Sequence, residues 1–431
     1  MAPIADHPLR YQLANELHAR PFPSISTPST AVYLAVKQPD GAASRNREAD
    51  MAHLLALLDR YGAPHPQPGA THYFGKLGRY QLKWESHTEF VTYTAFIDGL
   101  SSRPFDPADF EVFPPDWLAE IPGVRMTSAL IRIEKWSDKE KVIGAINDWF
   151  VPESMAVSRV LDDAAVIAGD FRIDAAGHQR FAVFVAPSTG DRRVGRMVQR
   201  LCEIETYKTM SMLGFSEVKA MSPRMNDIDE RLTLLMEEMT DNATPAEDTL
   251  GKLLVLSAEL ESMAARASFR FGATGAYEAI VHQRIEVMRE ARFDGRQTFN
   301  EFMMRRYDPA MRTVKSAQGR LAAMSDRAIR AGDLLRTRVD VERSAQNQAL
   351  LESMNTRADM QLKLQRTVEG LSVVAISYYA VSLVGYALYP LAELLNLSKG
   401  TLTAAITLPV VLLVWWLIRR LQRSLHSEPR E

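Results

Sequence analysis

Short apolar runs rich in β-branched and aromatic residues recur through the first part of the chain. Ala31 to Val36, Val124 to Ile133 and Phe181 to Val185 have the length and composition of strands. Between them, Asn46 to Tyr61, closed by Gly62, and Lys139 to Phe150 carry helical spacing. The proline-rich stretches Ala63 to Pro68 and Phe113 to Pro115 are loops. Residues from Thr30 to about Val185 therefore form an α/β region whose strand order the pattern leaves open. After Gly195 the strand signals fade, and Arg196 to Leu213, Met225 to Thr240 and Ala246 to Arg292 are predicted helices. Thr244-Pro245-Ala246-Glu247 opens the last as a capping box, with proline at the first helical position where its missing N–H costs nothing.

From about Arg312 no proline occurs until Pro390, and Gly319, Gly332, Gly370 and Gly385 stand alone, so one helix is predicted to run on for on the order of 100 Å at 1.5 Å per residue. Leu321, Met324, Ala328, Ala331 and Leu335 keep a heptad-like spacing that Gln346-Asn347-Gln348 interrupts. Such a helix suits a wet oligomer interior or a solvated stalk. No charged residue occurs from Gly370 to Ala392 or from Gly400 to Ile418, and each stretch is long enough to cross roughly 30 Å of hydrocarbon. Arg357, Lys363 and Arg366 precede the first, Arg419, Arg420 and Arg423 follow the second, and only Lys399 lies between. By the positive-inside rule both termini are expected in the cytoplasm, with the loop Pro390 to Lys399 on the far side. Met1 to Leu13 has no basic segment followed by an apolar one, so no cleavable secretory signal is expected there.

Composition narrows the function. The chain has 431 residues, enough for more than one folding unit, and its 51 Lys and Arg nearly balance 53 Asp and Glu, which argues against a nucleic-acid partner. A single cysteine, Cys202, rules out an internal disulfide and fits a reducing compartment. There is no Gly-x-Ser-x-Gly, His-Glu-x-x-His or Cys-x-x-Cys, so hydrolase, zincin and redox readings have no motif to stand on, and an enzyme using His18 and His87 ranks third. Gly190 to Met197 joins a predicted strand to a helix but lacks the Lys-Ser/Thr pair of a phosphate loop, leaving a capped turn or a helix N-terminus with two arginines for an anion. Met210, Met212, Met221, Met225, Met236 and Met239 are expected to fill core gaps.

Three groups of residues are candidate sites. Asn15, Glu16, His18 and Arg20 lie on a short helix that must end before Pro21. Glu85, His87 and Glu89 are spaced by two, so an unbroken strand would project them from one face toward a divalent cation, whereas a turn at Ser86-His87 would scatter them into a structural hydrogen-bond network. Tyr378, Ser382, Gly385, Tyr386 and Tyr389 fall within about a third of the first span's circumference. That face could line an aqueous path or pack on the second span.

Several strings together resemble an uncharacterised bacterial family of membrane-anchored proteins, domain of unknown function 3422: Asn15 to Pro21, Trp84 with His87-Thr88-Glu89-Phe90, Gly169 to Arg172, Gln199-Arg200-Leu201 with Glu203-Ile204-Glu205, and Thr367 to Tyr379. That resemblance brings no activity with it. The order of parts is similar to the CorA type of divalent-cation channel, as are Leu371-Ser372-Val373-Val374-Ala375, Gly385-Tyr386 and Pro390 to Leu394. It implies a homo-oligomer, a pentamer, in a lipid bilayer, with the first span around a pore, Glu393 at its outer mouth and a divalent cation as the bound ion. Where that group carries Gly-Met-Asn, this chain has Tyr386-Ala387-Leu388-Tyr389. The expectation is an α+β protein of the bacterial inner membrane. It has a cytosolic α/β domain (residues 1–220), a helical hairpin and stalk (221–369), a transmembrane pair (370–418) and a basic cytoplasmic tail (419–431). Its expected role is an oligomeric cation channel or a nonconducting tethered scaffold or sensor.

Overall fold

The computed structural model describes residues 4–16, 22–39, 41, 45–240, 244–394 and 398–425. They divide into two units, residues 1–332 and 333–431. The first unit is mixed α+β and is built on a nine-stranded sheet. In chain order the strands are β1 (Ser29–Lys37), β2 (His72–Leu77), β3 (Tyr80–Ser86), β4 (Phe90–Asp98), β5 (Val124–Lys135), β6 (Ala156–Val160), β7 (Ala165–Gly169), β8 (Gln179–Val185) and β9 (Ala291–Arg292). Across the sheet they lie β2-β3-β4-β1-β5-β8-β7-β6-β9, and among the described residues only β5 and β8 pair in parallel. Central β1 is buried along its whole length, because both faces of the sheet are covered.

The predicted strands at β1, β5 and β8 form where the apolar runs place them. One face packs on α2 (Arg47–Arg60), α3 (Pro115–Ala119) and α4 (Lys139–Trp149): Val32, Leu34, Leu82, Trp84 and Tyr93 share a buried core with Leu54, Leu57, Trp117, Val142 and Ile146. Within it His53 stacks on Trp117 at 3.9 Å, the Trp117 indole N–H donates to the His53 carbonyl at 2.9 Å, and His53 Nε2 lies 2.9 Å from the Trp117 carbonyl. A carbonyl only accepts, so Nε2 carries the proton and Nδ1 accepts from the Tyr93 hydroxyl at 3.2 Å. Asn46 caps α2 by accepting from the Glu48 and Ala49 amides, as its type predicts.

The opposite face is covered by α5 (Asp191–Glu238), which pairs with α6 (Ala246–Glu286). The two helices expected on either side of Pro223 are one continuous helix, a difference explained by packing. Gly214 brings α5 so close to α6 that a Cβ there would lie 2.2 Å from Thr274 Oγ1, and Arg224 pairs with Glu259 just beyond the proline. Ser222 Oγ donates to the Val218 carbonyl at 2.6 Å in the preceding turn. Residue 220, the expected domain boundary, lies inside this helix. The capping box at α6 does not form: Pro245 occupies the cap position itself, and its ring offers no acceptor.

After α7 (Phe299–Arg306), α8 spans Asp308–Leu394. Within the first unit its stripe Leu321, Met324, Ala328 and Ala331 is buried, and Arg320 and Arg327 both reach Asp229 of α5. The heptad-like spacing thus serves packing inside this chain. In the second unit, the rest of α8 and α9 (Lys399–Leu425) provide two helices long and apolar enough to cross a membrane. At 87 residues α8 is far longer than a single span, and its uncharged part begins only at Gly370. Only 6 % of each apolar window is buried, unlike a core helix of a globular protein.

Candidate functional site

Strand alternation and pairing register build a polar surface on the α5 side of the sheet. Leu82 and Trp84 point into the core, so Lys83 and Glu85 point the other way. Lys83 pairs with Thr94, which pairs with Tyr33 on β1, and Glu85 pairs with Thr92 in the next row. Facing them, α5 presents Val198, Gln199, Cys202, Glu203, Thr206 and Tyr207, two stripes at helical spacing. Sheet and helix do not close fully here, and a cavity of about 240 Å³ remains, with Phe22, Pro23, Phe90, Phe96, His87 and Arg284 completing its wall.

A chain of hydrogen bonds crosses the cavity. Lys83, only 5 % exposed, donates from Nζ to Gln199 Oε1 at 2.7 Å and lies 3.2 Å from Glu85 Oε1. Gln199 Nε2 donates to Glu203 Oε1 at 2.8 Å, and Arg284 Nε donates to the other Glu203 oxygen. Thr206 spends its proton on the Cys202 carbonyl at 2.8 Å, so the Tyr33 hydroxyl donates to Thr206. Burial pushes the Cys202 thiol and the Tyr33 hydroxyl up, which keeps both protonated and unreactive. Thr92 and Thr94, 4 % and 8 % exposed, have side-chain hydroxyls with no hydrogen-bond partner among the described residues. Lys83 is the one close partner of the Glu85 carboxylate among those residues.

Of the two arrangements open to Glu85, His87 and Glu89, the chain takes the turn, and the three residues are separated. β3 ends at Ser86, and the chain turns through His87 and closes with the His87 amide donating to the Phe90 carbonyl at 2.9 Å, so the alternation breaks after Glu85. The His87 ring stacks on Phe90 at 4.4 Å and shares the cavity with Glu85. Glu89 instead points to α6, where its buried carboxylate accepts from Arg270 Nη2 at 2.5 Å and the Tyr277 hydroxyl at 2.8 Å. Among the described residues no three carboxylate, imidazole or thiol groups lie close enough to hold a metal ion. Of the N-terminal group, α1 (Arg10–Glu16) carries Asn15 and Glu16, whose side chains lie outside the described residues, as do His18 and Arg20 altogether.

In the second unit Tyr378, Ser382, Gly385, Tyr386 and Tyr389 line one groove of about 770 Å³ between α8 and α9. A Cβ on Gly385 would lie 3.6 Å from Ile406 Cδ1, so that face turns toward the neighbouring helix. Ser382 returns its hydroxyl to the Tyr378 carbonyl at 2.9 Å, while the buried Ser377 hydroxyl has no partner among the described residues. The Glu393 side chain lies outside the described residues.

The sequence matches the family described as "Protein of unknown function (DUF3422)" over residues 5–425. The chain belongs to that family. A comparison with curated proteins finds no relative. Residues from two of the strings on which the resemblance rested, the one around Trp84 to Phe90 and the one from Gln199 to Glu205, face each other across the cavity. Sequence reasoning singled out Glu85 and His87 but not Lys83, Thr92, Thr94, Gln199, Glu203 or Arg284. For all but Arg284, which comes from α6, the signal was present as polar residues at alternate strand positions and at i, i+4 on α5.

Proposed function

We propose that this DUF3422 protein is a membrane-tethered binding protein, in which α8 and α9 hold the chain in a bilayer and the cavity between β3–β4 and α5 takes a small polar ligand on the cytoplasmic side. The observation that carries the reading is the set of polar groups on the cavity wall, the half-buried Glu85 and the buried Thr92 and Thr94, whose bonding capacity the described protein groups leave largely unused. Buried polar groups are normally hydrogen-bonded, and a cavity that offers several together favours a solute that satisfies them. The uncovered apolar windows and flanking arginines support the tether and its orientation. A binding role, not catalysis, fits a site whose one thiol is buried and held protonated. Reporter fusions before Lys363 and after Arg423 should both give cytoplasmic signals, with only residues 390–399 labelled from outside. A panel of small polar solutes should include one that raises the unfolding temperature of wild type and leaves Lys83→Met unmoved. A tail labelled from outside would overturn the topology, and no stabilising solute would overturn the binding role.

A second reading, an oligomeric cation channel with the first spans around a pore, draws on the groove lined by Ser377, Tyr378, Ser382, Tyr386 and Thr403. A ring of neutral hydroxyls would give modest selectivity. Wild-type protein in liposomes should then pass cations and Ser382→Leu should not. The tethered reading expects no flux from either, and flux from wild type alone would replace it.

A further inference from the structure

The cavity in the first unit has a more specific chemistry than polarity. This deepening rests on its being a ligand site. We infer that it selects a small zwitterion of the α-amino-acid type. Its wall carries Lys83 and Arg284 against Glu85 and Glu203. A net anion would sit beside two carboxylates and a net cation beside two cationic side chains, whereas a ligand bearing both charges opposes each with its complement. The spacing favours charges held close together. Lys83 Nζ and Glu85 Oε1 are 3.2 Å apart, so a ligand whose ammonium and carboxylate are carried on one carbon reaches both at once.

The neighbouring hydroxyls fit the same ligand laid antiparallel on this pair. Thr94 sits beside Lys83 and Thr92 beside Glu85 in the strand register, and both are more than nine-tenths buried. An ammonium has three donors, and Lys83 directs one at Gln199 and one toward Glu85, which leaves one for a carboxylate oxygen beside the Thr94 donor. Glu85 and Thr92 offer acceptors for the ligand's ammonium. About 240 Å³ is smaller than drug-sized pockets and suits a molecule of the size of a free amino acid. Phe90, Phe96 and Val198 supply an apolar wall for its side chain.

The test uses the full chain in detergent, with scanning fluorimetry and titration calorimetry against the standard L-amino acids, against acetate and propionate, against methylammonium and ethylammonium, and against glycerol and ribose. At least one amino acid should raise the unfolding temperature and bind one per chain, while the single-charge analogues and polyols do neither. Lys83→Met and Glu85→Gln should each weaken binding by about tenfold or more, as expected for losing one charged hydrogen bond, with an unchanged circular dichroism spectrum. If Lys83→Met does not fold, Glu85→Gln and Thr94→Val carry the comparison. Carboxylates binding as well as amino acids, or amino-acid binding that survives Glu85→Gln, would overturn the zwitterion. A polyol that binds wild type and not Lys83→Met would overturn the zwitterion and keep the cavity as a ligand site. Stabilisation by no probe would remove both.

Discussion

Replacing Glu89 tests whether the turn after β3 is structural. Its carboxylate is 1 % exposed and accepts from both Arg270 guanidinium nitrogens and from Tyr277. In Glu89→Ala, Arg270, whose side chain is 16 % exposed, is left without its counter-charge, and the Tyr277 hydroxyl loses its acceptor. Breaking a buried pair by removing one partner costs about 3–5 kcal/mol, and the residual access of water to Arg270 places this case near about 3 kcal/mol. At about 2 °C per kcal/mol for a large unit, the unfolding temperature should fall by about 6 °C in scanning fluorimetry. Glu89→Gln keeps the shape and an acceptor for Tyr277, so it should lie between. Glu89→Ala combined with Arg270→Met should recover part of the loss, because the stranded charge goes with its partner. A Glu89→Ala protein within about 0.5 kcal/mol of wild type, which is the range of ordinary surface changes, would refute the assignment of Glu89 to a desolvated ion pair.

Gly195→Ala places a Cβ 1.7 Å from the Pro23 carbonyl oxygen, so the segment at Pro23 must shift; the expected cost is about 1–3 kcal/mol by thermal unfolding, with weaker cavity binding because Phe22 and Pro23 form part of its wall. Burial lowers the pKa of His53 and of His178, so the folded state resists their protonation while the unfolded chain takes protons below about 6.5. Stability from these histidines is therefore full above about pH 6.5 and declines as pH falls toward their folded pKa values, by up to about 1.4 kcal/mol per histidine per pH unit, and urea midpoints between pH 7.5 and 5.5 should flatten in His53→Gln. Leu256→Ala, at a fully buried position of α6, should cost about 2–5 kcal/mol in the same urea titration.

Much of the fold was legible because local preference and burial agree. β1, β5 and β8 combine β-branched composition with burial on both faces, and Asn46 and Gly62 bracket α2 as their types require. Legibility failed where tertiary contact outweighed local preference. Pro223 marks a helix end by its own chemistry, yet α5 continues through it because Gly214 and Arg224 fasten the helix to α6 on both sides. Thr244 to Glu247 matches a capping box, but the match is one residue out of step with the helix that forms, and one residue is enough to replace a hydroxyl acceptor with a proline ring.

The site was half legible for a different reason. A polar residue at every second position of a strand says that one face is wet or bonded, but not what lies opposite. Lys83 and Glu85 acquire meaning only when Thr94 and Thr92 are placed beside them by the β3–β4 register and Gln199 and Glu203 are placed above them by α5. The pairings with α5 join residues more than a hundred positions apart, beyond the reach of any local periodicity. The spacing of Glu85, His87 and Glu89 had the opposite defect. It suggested a common face that the tight return to Phe90 destroys, because alternation holds only while the strand continues. The same turn that removes Glu89 from the cavity sends it to Arg270, and it leaves the Lys83–Glu85 pair flanked by hydroxyls instead of a third carboxylate. With Glu89 beside them the wall would carry excess negative charge and favour a cation; without it, the charges on the wall balance.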